Sequence, residues 1–379
     1  MTTEVVVFEE RAAGGGKRVG FARLNAEKSL NALSQAMIDL LRPRLAQWAE
    51  DDDIACVVLL GSGERAFCAG GDVVSLYHAM KANPGGPVAP AERFFETEYR
   101  LDYQIHTYPK PMLCWGDGIV MGGGLGLMSG CSHRVVTERS RIAMPEGVIG
   151  FFPDVAGTWF LTRMPGRTGL FLGLTGAHMN AGDALYLGLA DFCSGAAQRD
   201  AVFVGLTEIA WSGDAELDRQ QLSLLLRRLA AASGDLLPES NVARHRALID
   251  RVTDYTSVEG MLAALRSERS DDKWIVAALE SLERSSPTAS KVFVEQYRRG
   301  RHLSLKEVFM LELNMAVQFT RRHDFAEGVR ALLVDKDRNP RWRPSRLEDV
   351  SAADVAAHFE PPAGFDPSPL ADLWAFSVV

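Results

Sequence analysis

The chain has 379 residues, 47% of them hydrophobic and 24% charged, with a formal net charge of −8. It has material for a sizeable core and a length that suits two domains, or one large domain with an appendage. With no broad basic field, nucleic acid is excluded as an expected partner. The cysteines, Cys56, Cys68, Cys114, Cys131 and Cys193, lie far apart, with no CxxC pair and no Cys/His ligand set. That pattern argues against a disulfide framework and a zinc site, and for a reducing compartment. The N-terminus, MTTEVVVFEE, lacks the basic flank and long apolar run of a signal peptide and is too acidic for a transit peptide. No apolar run reaches membrane-spanning length. The expected address is therefore cytoplasmic, with no membrane as partner.

Residues 5–9 (VVVFE) and 18–24 (RVGFARL) read as two short strands turned at Gly14, Gly15 and Gly16. From Ser34 to Glu50 the apolar residues Met37, Leu40, Leu41, Leu45 and Trp48 fall at helical spacing, and Pro43 is expected to kink or distort that helix. Residues 55–61 (ACVVLLG) read as a buried strand, and 83–90 (NPGGPVAP) as a mobile surface loop. A helix is predicted over 91–107, then a short strand, MLCW, after Pro109 and Pro111. A glycine-rich turn and helix run through Gly130, and a strand covers 133–137.

Beyond about residue 200 strand patterns fade and helical periodicity dominates. Leu305, Val308, Leu311, Met315 and Phe319 form a stripe, opened by a capping-box pair, Ser304 and Glu307. Ser286-Pro287 opens another helix. The reading is α/β, with an α/β core over residues 1–200 that holds the site and a mainly helical region over 201–379.

Three segments carry candidate chemistry: FCAGGD at 67–72, GIVMGGGLGL at 118–127 and AMPEGVIGFFPD at 143–154. Gly123 is expected at a helix N-terminus, where an unsatisfied N–H and the positive dipole end stabilise negative charge. A second N–H from the CAGGD turn converging on the same point would complete an oxyanion hole. Each glycine run taken alone is equally a tight turn. GGGLG lacks the spacing and context of a dinucleotide fingerprint. Glu146 and Asp154 sit beside prolines in apolar surroundings, where desolvation raises a carboxyl pKa and suits acid, base or nucleophilic work. Taken singly, each could instead cap a turn.

Cys68 has no adjacent histidine to activate it and reads as a packed thiol. Ser129 and His133 lack the GxSxG elbow of a hydrolase. His323 and Asp324 read as a turn opening. Arg338, Arg341, Arg343 and Arg346 read either as contacts for the phosphates of a ligand or as a solvated surface.

Together the three segments resemble the crotonase (enoyl-CoA hydratase/isomerase) superfamily. LNAEKSLNALS at 24–34 and LTGAHMNAGDALYLGLAD at 174–191 add to the match. Within it, FCAGGD, MGGGLGL, MPEGVIGFFPDVAG, FFETEY at 94–99, SSPTASK at 285–291 and HDFAEGVRALLVDKDRNPRWRP at 323–344 resemble the 3-hydroxyisobutyryl-CoA hydrolases. The resemblance implies a core of repeated strand–strand–helix turns with a helical C-terminal region. It implies oxyanion donors at the N–H groups of Gly71 and Gly123, catalytic carboxyls at Glu146 and Asp154, and substrate contacts at Glu98, Asp72 and Ala69. Coenzyme A arrives as part of the substrate, so no separate cofactor and no metal is implied. Hydratases place a second glutamate at the position of Gly126, and a glycine there disfavours addition of water to a double bond. The implied reaction is hydrolysis of 3-hydroxyisobutyryl-CoA, a step of valine catabolism, with Glu146 acting as nucleophile or as base toward water. An isomerase using Glu146 alone and a non-catalytic acyl-CoA-binding protein remain as alternatives. The C-terminal helices could build a homo-oligomer or fold back on their own core.

Overall fold

A computed structural model describes residues 4–365 and 367–374. Residues 1–3 of the N-terminal reading, residue 366 and the last five residues of the helical region lie outside the described residues.

Strands β1 (Val6–Ala12) and β2 (Arg18–Leu24) pair antiparallel. Their turn passes through Gly15 and Gly16, whose φ values of 73° and 76° favour glycine. Helix α1 (Gln35–Glu50), N-capped by Ser34, then carries the chain to β3 (Ile54–Gly61), parallel to β2. A repeat follows. Each long strand of the main sheet leads to a short strand of a second sheet and then to helix. The first unit is β3, β4 (Ala66–Cys68), α2 (Val73–Ala82) and α3 (Ala89–His106). The second is β5 (Met112–Gly116), β6 (Ile119–Met121) and α4 (Gly123–Ser129). The third is β7 (His133–Val136), β8 (Arg141–Ala143) and α5 (Gly157–Leu161), before β9 (Phe192–Cys193) closes the main sheet. The large sheet has the order β1-β2-β3-β5-β7-β9 and the small one β4-β6-β8, and every pairing after the first hairpin is parallel.

A parallel sheet needs cover on both faces. Alternate residues of β3 show how it is supplied. Val57 and Leu59 face the main core with α1 and α3, while Val58 and Leu60 face a second core with Val202, Phe203, Leu222 and Leu225. Among the described residues all strands lie between Val6 and Cys193, and the rest of the chain is helical or irregular.

The helical region folds back on the core. The helix Leu305–Thr320 opens with the Ser304/Glu307 capping box and packs along α3. The helix Pro287–Gly300 starts at Ser286. One hydrophobic cluster runs from Val6 to Leu373 and takes in both halves of the chain. Helix α1 runs through Pro43 as one element. Pro43 and Asp39 are both exposed, so the Asp39 carbonyl that loses its helical donor faces water. The segment between α2 and α3 is shorter than expected because Pro90 sits in the first turn of α3, where its fixed φ suits a helix. No helix among the described residues is long and apolar enough to cross a membrane.

Candidate active site

The CAGGD turn is held by the stretch at 24–34. Ala69 N–H donates to Leu30 O (3.1 Å), Leu33 N–H to Gly70 O (2.8 Å) and Asp72 N–H to Leu33 O (2.9 Å). Gly70 makes the turn at φ 117°, a value open to glycine. Gly71 follows, and its N–H donates to no backbone acceptor. Across from it, Gly122 (φ 47°) turns the chain into α4, so Gly123 occupies the first helical position with its own N–H unused by the helix. A Cβ placed on Gly123 would stand 3.4 Å from Gly71 N and 2.5 Å from Glu98 Oε1. The two glycine turns therefore meet at one point, beside a carboxyl.

That point opens into a cavity of about 210 Å³ lined by Ala69, Gly71, Gly123, Glu98, Glu146 and Asp154 together with apolar side chains. Of the seven residues that the resemblance assigns to the site, Asp72 is the one this cavity does not include. Its carboxylate caps α2, accepting from Ser75 N–H (3.2 Å) and Ser75 O–H (2.6 Å).

Glu98, Glu146 and Asp154 are 2%, 6% and 5% exposed. Burial pushes the Glu146 and Glu98 carboxyls well above the usual carboxylate range, and the nearby Asp154 charge adds to both shifts. Asp154 is pushed up to about 7 by burial, against the pull of the Tyr99 hydroxyl, which donates to Asp154 Oδ2 at 2.7 Å. No cation is among the groups acting on these three acids. Glu146 Oε2 is buried without a hydrogen-bond partner, while its Oε1 lies 3.0 Å from where a Cβ on Gly122 would stand. Buried carboxyls whose pKa values are raised thus face two vacant N–H donors. That is the arrangement needed to attack a carbonyl carbon while its oxygen gains charge.

The helical region fixes Asp154. Val155 and Ala156, immediately after it, have φ values of 50° and 68°, which side-chain-bearing residues seldom adopt. The turn is held from both ends. Glu312, wholly buried on the helix Leu305–Thr320, accepts from Ala156 N–H and Thr158 N–H, both at 2.9 Å. Gln296 donates to Pro153 O and to Thr158 Oγ1, both at 2.7 Å.

Sequence reasoning missed three of the groups around the site: Tyr99, Asp102 and Glu312. Asp102, one turn after Glu98 on α3, is fully buried with both carboxyl oxygens unpartnered. A signal existed for the two acids, since Asp102, like Glu98, interrupts the apolar face of α3 and Glu312 interrupts the stripe at 305–319. Buried acids on an apolar face call for a function or a partner.

Position 126 has no room for a second acid. A Cβ on Gly126 would stand 2.6 Å from Val155 Cβ and 3.2 Å from Asp102 Oδ2. The remaining candidates do not assemble. The Cys68 thiol is buried and pushed up to about 12 by that burial. Ser129 meets His106 at 3.4 Å, whereas His133 binds Ser132, Ser223 and the Arg219 carbonyl. His323 starts a helix rather than a turn, and Asp324 ties it down by accepting from Ser286 O–H (2.6 Å) and Arg343 N–H (2.9 Å). Arg338, Arg341, Arg343 and Arg346 are exposed.

A family model described as enoyl-CoA hydratase/isomerase matches residues 19–359. The small ribosomal subunit protein mS47 of Neurospora crassa is 37% identical over 86% of this chain, and the match spans 66% of that longer protein. The mitochondrial 3-hydroxyisobutyryl-CoA hydrolase of Gallus gallus is 36% identical over 90% of this chain and 86% of its own. The one from Danio rerio is 37% identical over 88% of this chain and 85% of its own. Among solved structures, a carnitinyl-CoA dehydratase from Mycobacterium thermoresistibile superposes with a TM-score of 0.84 at 37% identity, covering 96% of this chain and 98% of its own. The mitochondrial setting of the two hydrolases overturns the cytoplasmic address expected from the N-terminus. The composition of a few leading residues says nothing about where the folded body works. The fold, the two converging glycine turns and these matches lead to one assignment: the chain belongs to the enoyl-CoA hydratase/isomerase family.

Proposed function

We propose that this protein hydrolyses the thioester of a short, branched 3-hydroxyacyl-CoA, with 3-hydroxyisobutyryl-CoA as its substrate in valine breakdown. The observation that carries the reading is the single small cavity that joins two unused N–H donors, Gly71 and Gly123, to the buried carboxyls of Glu146 and Asp154. The likeness to the two hydrolases supports it.

On this reading the thioester oxygen accepts from Gly71 and Gly123 N–H, and these bonds strengthen as the tetrahedral intermediate gains charge. The Glu146 carboxylate attacks the carbonyl carbon, or takes a proton from the water that attacks. The carbon–sulfur bond breaks, and the thiolate leaves and is protonated as coenzyme A; on the first route this leaves an anhydride with Glu146, which water then hydrolyses to release the hydroxy acid and restore the carboxylate. Asp154, steadied by Tyr99, handles protons or the substrate hydroxyl, and Glu98 orients that hydroxyl. Ala69 lines the acyl site, and Asp72 acts on it indirectly by capping α2. The α/β core then holds the reacting groups, and the helical region beyond residue 200 braces them through Gln296 and Glu312. No cofactor beyond the coenzyme A of the substrate enters these steps.

Two other readings have observations behind them. A double-bond isomerase could use Glu146 alone, since one buried acid suffices for proton transfer. An assembly role without catalysis draws on the likeness to mS47.

The test is thiol release from isobutyryl-CoA and 3-hydroxyisobutyryl-CoA, by the parent and by Glu146→Gln. A site built to bond a hydroxyl rejects the analogue without it, by about 100-fold or more in kcat/KM. Equal turnover of the two substrates contradicts the proposed specificity. Undiminished hydrolysis by Glu146→Gln contradicts the mechanism.

A further inference from the structure

The cavity has a dry end and an open end. Glu98, Glu146 and Asp154 form the dry end, all at 6% exposure or less, whereas Leu332 and Leu333 line the same cavity at 37% and 38% exposure. These leucines belong to neither hydrophobic core. They come from the segment at 323–344, which also contributes the buried Phe325 to the cavity wall.

Their backbone is unusual and firmly held. Arg330–Val334 forms a π-helical turn, closed by Asp335 N–H donating to Arg330 O at 2.8 Å. Such turns are rare and concentrate at functional sites. One guanidinium ties the turn to what precedes and follows it. Arg330 donates to both carboxylate oxygens of Glu327 (2.8 and 2.9 Å), to Asp335 (2.8 Å), to Asp337 (2.7 Å) and to Asn339 O (3.2 Å). A further bond from Arg338 N–H to Ala331 O (3.0 Å) fixes the loop beyond. The turn packs on α2, the helix that leaves the CAGGD turn. A five-bond guanidinium clamp therefore presents two half-exposed leucines at the mouth of the cavity, and core packing does not account for them.

With the thioester oxygen between Gly71 and Gly123 and the acyl group toward the buried acids, the sulfur side of the substrate must leave through the mouth. We propose that Leu332 and Leu333 form a binding wall for the pantetheine arm of an acyl-CoA, and that Arg330 is the positioning residue for that wall. The arm's methylenes and gem-dimethyl group are apolar, and covering the leucines removes exposed hydrocarbon from water. The wall rests on the thioester reading of the site, and its test separates the two.

The test uses one acyl group carried on coenzyme A, on pantetheine and on N-acetylcysteamine, which lacks most of the arm. The parent, the double variant Leu332→Asn/Leu333→Asn and Arg330→Gln are compared by steady-state thiol release. The double variant is expected to raise KM about tenfold for the coenzyme A and pantetheine thioesters, with kcat nearly unchanged. KM for the N-acetylcysteamine thioester stays at the parent value. Arg330→Gln shows the same split to a smaller extent. A rise in KM that is equal for all three thioesters, or absent for all three, overturns the wall. If the parent releases thiol from none of them, the hydrolase reading fails instead. The wall is then judged by calorimetric binding of free coenzyme A, which the double variant must bind about tenfold more weakly. Equal affinity overturns it.

Discussion

Replacing Gly123 with alanine tests the oxyanion geometry with one methyl group. Gly123 lies outside the positive-φ region, so its backbone accepts alanine without strain, and alanine suits the first turn of α4. The new Cβ stands 3.4 Å from Gly71 N and 2.5 Å from Glu98 Oε1. A thioester oxygen must approach both N–H groups to about 2.7–3.1 Å, which is the space the methyl enters. The Glu98 carboxyl must also give way by several tenths of an ångström, a local overpacking that costs about 1–3 kcal/mol of stability. Losing one donor of such a hole costs about 3–4 kcal/mol in the transition state, so kcat should fall by about 10²–10³. Thiol-release kinetics give kcat, and urea unfolding gives the stability change on the same samples. A folded Gly123→Ala variant with kcat within about threefold of the parent would falsify the placement of the oxyanion between the two turns.

Glu312→Gln should lower turnover without touching substrate. It leaves one of the Ala156 and Thr158 N–H groups facing an amide donor, which costs about 1–3 kcal/mol of stability and frees the turn that sets Asp154. Unchanged kcat in a measurably destabilised variant would show that the turn keeps its shape unaided. Gly126→Glu should not confer hydration of crotonyl-CoA, followed by loss of enoyl absorbance, because its Cβ meets Val155 Cβ at 2.6 Å; instead it should destabilise by about 1–3 kcal/mol or more. Gain of hydration with full stability refutes this. Stability should fall as pH rises from about 6.5 to 8, above the range in which the buried His106 and His358, both lowered to about 4, act in the opposite sense. The carboxyls of Asp154 and Glu312 are raised to about 7 and about 8, chiefly by burial. Between the unfolded and folded pKa values the unfolded chain has lost protons that the native state keeps, so rising pH favours unfolding. For Asp154 alone the rise from 3.8 to about 7 amounts to a loss on the order of 4 kcal/mol, most of it below that window. Urea midpoints that stay level or climb between about pH 6.5 and 8 contradict the burial of these acids.

Much of the site is legible from sequence because its parts obey local rules. Short glycine runs mark the two turns. Gly70 and Gly122 need a φ that other residues avoid, and Gly123 follows directly into a helical pattern. Acids between prolines and aromatic residues mark Glu146 and Asp154. What escapes sequence reasoning depends on distance along the chain. Periodicity places Glu312 next to a buried stripe but cannot say that it reaches Ala156 and Thr158, more than 150 positions earlier. Nor can it give the φ of Val155, a β-branched residue for which left-handed backbone is disfavoured until Glu312 and Gln296 hold it there. The hydroxyl of Tyr99 and the isolated Asp102 share a helix face with Glu98, yet only the packing of α3 shows which of them meets Asp154. The sequence pattern at 323–344 does not single out Leu332 and Leu333. The Arg330 clamp winds their backbone as a π-turn and leaves them at the cavity mouth.

The central claim is that this site cleaves a thioester rather than hydrating or shifting a double bond. Incubating the purified protein separately with 3-hydroxyisobutyryl-CoA and with crotonyl-CoA, and following free thiol and acyl products together, tests it most directly. The account predicts equimolar coenzyme A and 3-hydroxyisobutyrate from the first, and no hydrated product from the second. An intact 3-hydroxyisobutyryl thioester alongside hydration or isomerisation of an enoyl-CoA would contradict it.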